Sequence, residues 1–213
     1  MDVPVDETET LLKKGAQALM DAPENDGWTK ELIDELLTSE EWARFDSLRK
    51  GVIGRIADAL DRGVEEELAQ AFKDVLNGTS NAKSTAGEYL FLSDANTEDY
   101  AGEMEAAYQA LTAAHPLLIN DEPNDEVVNT SAGGCEVTDQ TIDDFFANFD
   151  AIREQATGPE FDTLSAPPCG SWGNLAQFTA CQIVCSAGGP ILYWPCTYLC
   201  MCQLCASEFE AIC

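Results

Sequence analysis

The chain has 213 residues, with 39 acidic side chains against 11 basic ones, a formal net charge of -28 and an isoelectric point near 4.1. A field this negative excludes nucleic acid as a natural partner, because phosphate binding needs clustered Lys and Arg. With 45% hydrophobic residues the chain is no disordered acidic tail, so it reads as a globular protein in an acidic coat. Such a charge is best tolerated where molar salt screens it within about 3 Å, which points to a halophilic source.

In chain order, residues 6–21 and 28–37 carry leucines at helical spacing, separated by the turn-forming stretch Ala22 to Gly27. Thr38 and Glu41 form a capping-box pattern ahead of a long apolar stripe. It runs through Trp42, Phe45, Leu48, Val52, Ile56, Leu60, Val64, Leu68, Phe72 and Leu76, and Asn77 with Gly78 closes the predicted helix. Residues 77–97 are polar and rich in Gly, Ser and Asn, and read as a loop with a short extended piece at Tyr89 to Leu92. A helix over 98–114 bears Met104, Tyr108 and Leu111. After a linker from Asn120 to Gly134, Asp139 caps a helix with Ile142, Phe145, Phe146, Phe149 and Ile152, ended by Gly158 and Pro159. Residues 158–168 read as an exposed connector and a cleavage region. Met1 to Leu12 is acidic and lacks the basic and apolar regions of a secretory signal.

Charge and cysteine divide the chain unevenly. Residues 163–213 hold only Glu208 and Glu210 as charged side chains, and from Thr163 to Ser207 there is none. Cys135 stands apart, whereas Cys169, Cys181, Cys185, Cys196, Cys200, Cys202, Cys205 and Cys213 crowd this apolar end. A segment this small needs covalent staples to hold a fold of its own. The expected architecture is therefore all-α, an acidic helical bundle followed by a small disulfide-rich helical hairpin. Its parts are residues 1–134, a helix and connector at 135–162, and the Cys-rich mini-domain at 163–213.

Cys181 and Cys185 lie four apart, as do Cys196 and Cys200, so each pair shares one helix face. Asn174 caps a first predicted helix over Leu175 to Ser186, Gly188 to Pro190 break it, and Pro195 suits the first turn of a second. Two antiparallel helices set the first cysteine of one opposite the last of the other, which predicts bridges Cys181 to Cys200 and Cys185 to Cys196. Cys202 points about 200 degrees away from Cys200, with Cys205 on its side, and these two take Cys169 and Cys213 in an order the spacing leaves open. Cys135 is the odd one.

Enzyme chemistry has little to stand on. The single histidine, His115, sits at a helix end with no ligand spacing beside it, and neither HExxH, GxSxG nor a phosphate loop occurs. No catalytic residue, cofactor or metal ligand is assigned. The competing reading of the cysteines is a zinc knot in a cytoplasmic interaction or regulatory protein, but only Cys202 and Cys205 have CxxC spacing. A third reading is a surface structural protein cross-linked through its tail, with Cys135 as a free thiol.

The run Cys181-Gln-Ile-Val-Cys185-Ser-Ala-Gly-Gly189, inside a nearly uncharged, cysteine-dense segment ending on Cys213, resembles halocin C8-like bacteriocins of halophilic archaea. The resemblance covers residues 163–213. It implies a precursor in which the acidic N-terminal part serves as leader or immunity portion, while the C-terminal part is a secreted antimicrobial peptide. The expected partners are the membrane or a membrane protein of related cells, and the chain's own immunity portion. Ile191, Tyr193 and Trp194 form the aromatic tip expected to make that contact.

Overall fold

The structure is a computed structural model that describes residues 30–115, 137–157, 172–205 and 213. The expected helix at 6–21, the linker from Asn120 to Gly134, Cys135, the connector at 158–168 and Cys169 lie outside the described residues. Among the described residues there are nine α-helices and no strand, and the all-α expectation holds.

Helix α1 (Lys30–Leu37) buries Ile33 and Leu36. The Thr38 hydroxyl donates back to the Asp34 carbonyl (2.7 Å), so the cap of the next helix passes to Ser39, whose Oγ accepts from the Trp42 amide at 3.1 Å. The capping pattern read at Thr38 and Glu41 is thus displaced by one residue. Helix α2 (Glu40–Asp61) buries Trp42, Phe45, Val52, Ile53 and Ile56.

The long helix expected as far as Leu76 is two. Arg62 ends α2, and Gly63 takes φ +76. Its amide donates to the Leu60 carbonyl (2.8 Å) and that of Val64 to Ala59 (3.5 Å), the paired bonds of a Schellman stop. Helix α3 (Glu65–Leu76) restarts in phase, with three glutamates in its first turn and Leu68, Phe72 and Val75 buried. The apolar period survives the break, which is why the stripe reads as continuous. Gly78 closes α3 in the same way, as expected from Asn77 and Gly78.

The stretch expected as a loop is mostly helix, α4 (Ala82–Phe91), followed directly by α5 (Asp94–Ala114) capped by Ser93. The buried positions of α4 include Ala82, Ala86 and Gly87, so small side chains replace the usual large stripe. They allow close approach: a Cβ on Gly87 would stand 2.4 Å from Thr97 Oγ1 of α5. The single helix expected after Asp139 is also two, α6 (Asp139–Ala147) and α7 (Phe149–Thr157), and the cap is Thr138 in a reciprocal box with Thr141. Phe146 packs edge-on to Phe72 (5.5 Å), and Lys73 pairs with Asp143 (2.5 Å), which fastens α6 to α3.

The C-terminal segment forms α8 (Trp172–Cys185), a 3-10 turn (Ser186–Gly188) and α9 (Gly189–Leu204). Both helices start earlier than expected. Pro190, not Pro195, occupies the first turn of α9, and Pro195 lies inside it, where it withholds the amide that Ile191 would otherwise receive. Helix α9 pairs with α8 and also packs on α2, α3, α4, α5 and α6. It is the central helix of the fold, and every residue from Pro190 to Tyr198 is buried.

Candidate functional site

A helix that is apolar on all sides is stable in water only if other elements cover every face. Two faces of α9 are covered in different ways. Toward α8 it offers Cys196 and Cys200, which form the bridges Cys185–Cys196 and Cys181–Cys200 with Cα separations of 5.5 and 6.1 Å. Both are the pairings expected from the helical spacing. Each bridge should contribute about 3 kcal/mol. Cys202 joins Cys213, and Cys205 is also disulfide-bonded. The sulfurs of Cys181, Cys185 and Cys200 all lie within 4.8 Å of one another and are buried.

Toward the acidic helices α9 offers the aromatic tip. Ile191 is 4% exposed and Tyr193 and Trp194 are fully buried. Tyr193 packs edge-on to Phe45 of α2 (6.0 Å) and to Trp194 (5.5 Å). The Trp194 indole N–H donates to the Arg49 carbonyl at 2.9 Å, joining residues 145 positions apart in sequence. Tyr198 lies 6.5 Å from Phe145 of α6. The residues expected to meet a membrane are held inside the chain.

Sequence reasoning missed what receives them. Asp46, Arg49 and Lys50 form a largely buried ion cluster on α2. Arg49 Nε donates to Asp46 Oδ1 (2.5 Å), Lys50 pairs with Oδ2 (2.6 Å), and the Arg49 guanidinium lies over Trp42, 5.5 Å from its centroid. Burial opposes ionisation of Asp46, but Arg49 and Lys50 outweigh it and hold the carboxyl below its ordinary range. The signal was present: Asp46 follows Trp42 by four residues and Arg49 follows Phe45 by four, so both charges stand on the apolar face.

Three hydroxyls of the enclosed segment, those of Ser186, Tyr193 and Thr197, are buried without a hydrogen-bond partner. The Tyr193 hydroxyl has the Thr197 hydroxyl and the Arg49 side chain as neighbours, outside the geometry of a direct hydrogen bond. Burial raises the Tyr193 phenol to about 12. Between pH 10 and 12 the unfolded chain therefore loses this proton while the folded chain keeps it, so the contribution is complete below pH 10 and disappears through pH 12. Wild-type protein is expected to lose about 2 to 3 kcal/mol across that window. Tyr193→Phe should lose markedly less in parallel denaturant titrations, and equal losses would refute the assignment to Tyr193.

His115 ends α5, its amide bonded to the Leu111 carbonyl (2.9 Å) and its Nε2 buried without a partner. Leu92 is the one large hydrophobic side chain that stands exposed among the described residues. No described helix is long and apolar enough to cross a membrane. No protein-family model, curated protein or solved structure matches this chain.

Proposed function

We propose that the chain is the stored form of a disulfide-stapled antimicrobial peptide, with the acidic helices as its sheath and residues 163–213 as the active part. The observation that carries this reading is the position of α9. An uncharged helix that is apolar on every face is wrapped by charged helices, and the bridges Cys181–Cys200, Cys185–Cys196 and Cys202–Cys213 all lie within the C-terminal part. Cleavage in the connector at 158–168 would cut none of these three bridges, so the hairpin itself would stay stapled.

Released, the segment presents Ile191, Tyr193 and Trp194 to the membrane of related cells. Without Lys or Arg it relies on apolar and aromatic contact at the interface rather than attraction to anionic lipid. The test is growth inhibition of a related halophile by full-length chain before and after proteolysis in the connector.

A further inference from the structure

We propose that Cys181, Cys185, Cys196 and Cys200 form a second kind of site in the reduced chain, a tetrathiolate centre for a zinc-class divalent ion, which is exchanged for the two bridges on oxidation. The inference does not depend on the antimicrobial reading. It rests on convergence and burial. Two antiparallel helices each contribute two cysteines four residues apart, and all four are 6% exposed or less. Cys185 and Cys200, which are not bonded to each other, already have their sulfurs 3.6 Å apart, and Cys181 lies in the same group within 4.8 Å. Tetrahedral zinc with bonds of about 2.3 Å sets its sulfurs about 3.8 Å apart, so the unbonded contact has the spacing of a tetrathiolate edge. The facing Cα atoms, 5.5 and 6.1 Å apart, leave room for the bonded pairs to part around an ion once reduced.

The chemistry closes. Zinc binding displaces the thiol protons, and affinity therefore falls steeply as pH drops below the ordinary thiol range. Two equivalents of a small-molecule disulfide then take two electrons from each cysteine pair. Cys181–Cys200 and Cys185–Cys196 form, four small thiolates leave, and the zinc ion is released. The segment that supplies the thiols carries no charged side chain from Thr163 to Ser207, so within it the metal alone offsets the thiolate charge, which favours a divalent over a monovalent ion. In a reducing compartment such an ion would hold α8 against α9 before the bridges exist.

The experiment uses the full chain, reduced and freed of reductant without oxygen, titrated with cobalt(II) and, separately, zinc. One cobalt per chain with tetrahedral tetrathiolate absorption is expected. It should be lost in Cys181→Ser and in Cys196→Ser but kept in Cys202→Ser, and oxidised glutathione should release the zinc stoichiometrically to a chromogenic chelator. No stoichiometric metal, metal binding indifferent to Cys181→Ser and Cys196→Ser, or zinc retained after both bridges have formed would each overturn the proposal.

Discussion

Replacing Trp194 with alanine is expected to cost about 3 to 5 kcal/mol, among the largest effects any single substitution in this chain should have. Trp194 is the largest of the fully buried side chains, it is packed edge-on to Tyr193, and its indole N–H is held by the Arg49 carbonyl of α2. Truncation leaves a cavity at the centre of the fold and removes a hydrogen bond between α9 and α2. Denaturant unfolding reads the loss, while peptide mapping without reduction should still find Cys181–Cys200 and Cys185–Cys196, because the bridges lie on the other face of α9. Trp194→Phe keeps most of the volume and should cost only about 1 to 2 kcal/mol. If Trp194→Ala cost less than about 1 kcal/mol, the enclosure of α9 by the acidic helices would be untenable.

The second large effect belongs to Asp46. It is 4% exposed and pairs with Arg49, itself 8% exposed, and with Lys50. Asp46→Ala leaves the Arg49 guanidinium buried against Trp42 without its counter-ion, at an expected cost of about 3 to 5 kcal/mol. Arg49→Met in the same chain should recover much of that loss, because an apolar pair replaces the stranded charge; a cycle of the two single variants and the double variant measures the coupling. The pH sign follows from the lowered pKa of Asp46. Its contribution is present above the ordinary carboxylate range and lost as pH falls through the lowered value, so acid should reproduce part of the Asp46→Ala effect in wild-type protein.

The parts of this fold that were legible in the sequence are those set by local periodicity. The stripe from Trp42 to Leu76 and the four-residue spacing of the cysteine pairs follow from helix geometry alone, and so does the antiparallel pairing of Cys181 with Cys200 and Cys185 with Cys196. The break at Gly63 was hidden because α3 resumes in phase with α2. Helix α4 was hidden because its inner face is alanine and glycine, chosen for close approach to α5 rather than for apolar area. The seat of α9 was hidden for a different reason. An all-apolar helix announces that it must be covered, but what covers it is a tertiary fact, decided by Phe45, Arg49 and Phe145 far away in sequence. The aromatic residues that suggested a membrane contact satisfy the same chemistry inside the protein.

The charge of -28 takes on a structural sense from this arrangement. Acidic side chains crowd the first turns of α2 and α3 and keep the outer helices in water, while the helix they surround carries none.

Growth inhibition by intact and cleaved protein at equal concentration, both oxidised, tests the central claim most directly. The account predicts that intact chain is inert toward a sensitive halophile, that cleavage within 158–168 produces inhibition, and that reducing the cleaved product abolishes it. Inhibition by the intact chain equal to that of the cleaved product, or none from a cleaved product shown to carry its bridges, would contradict it.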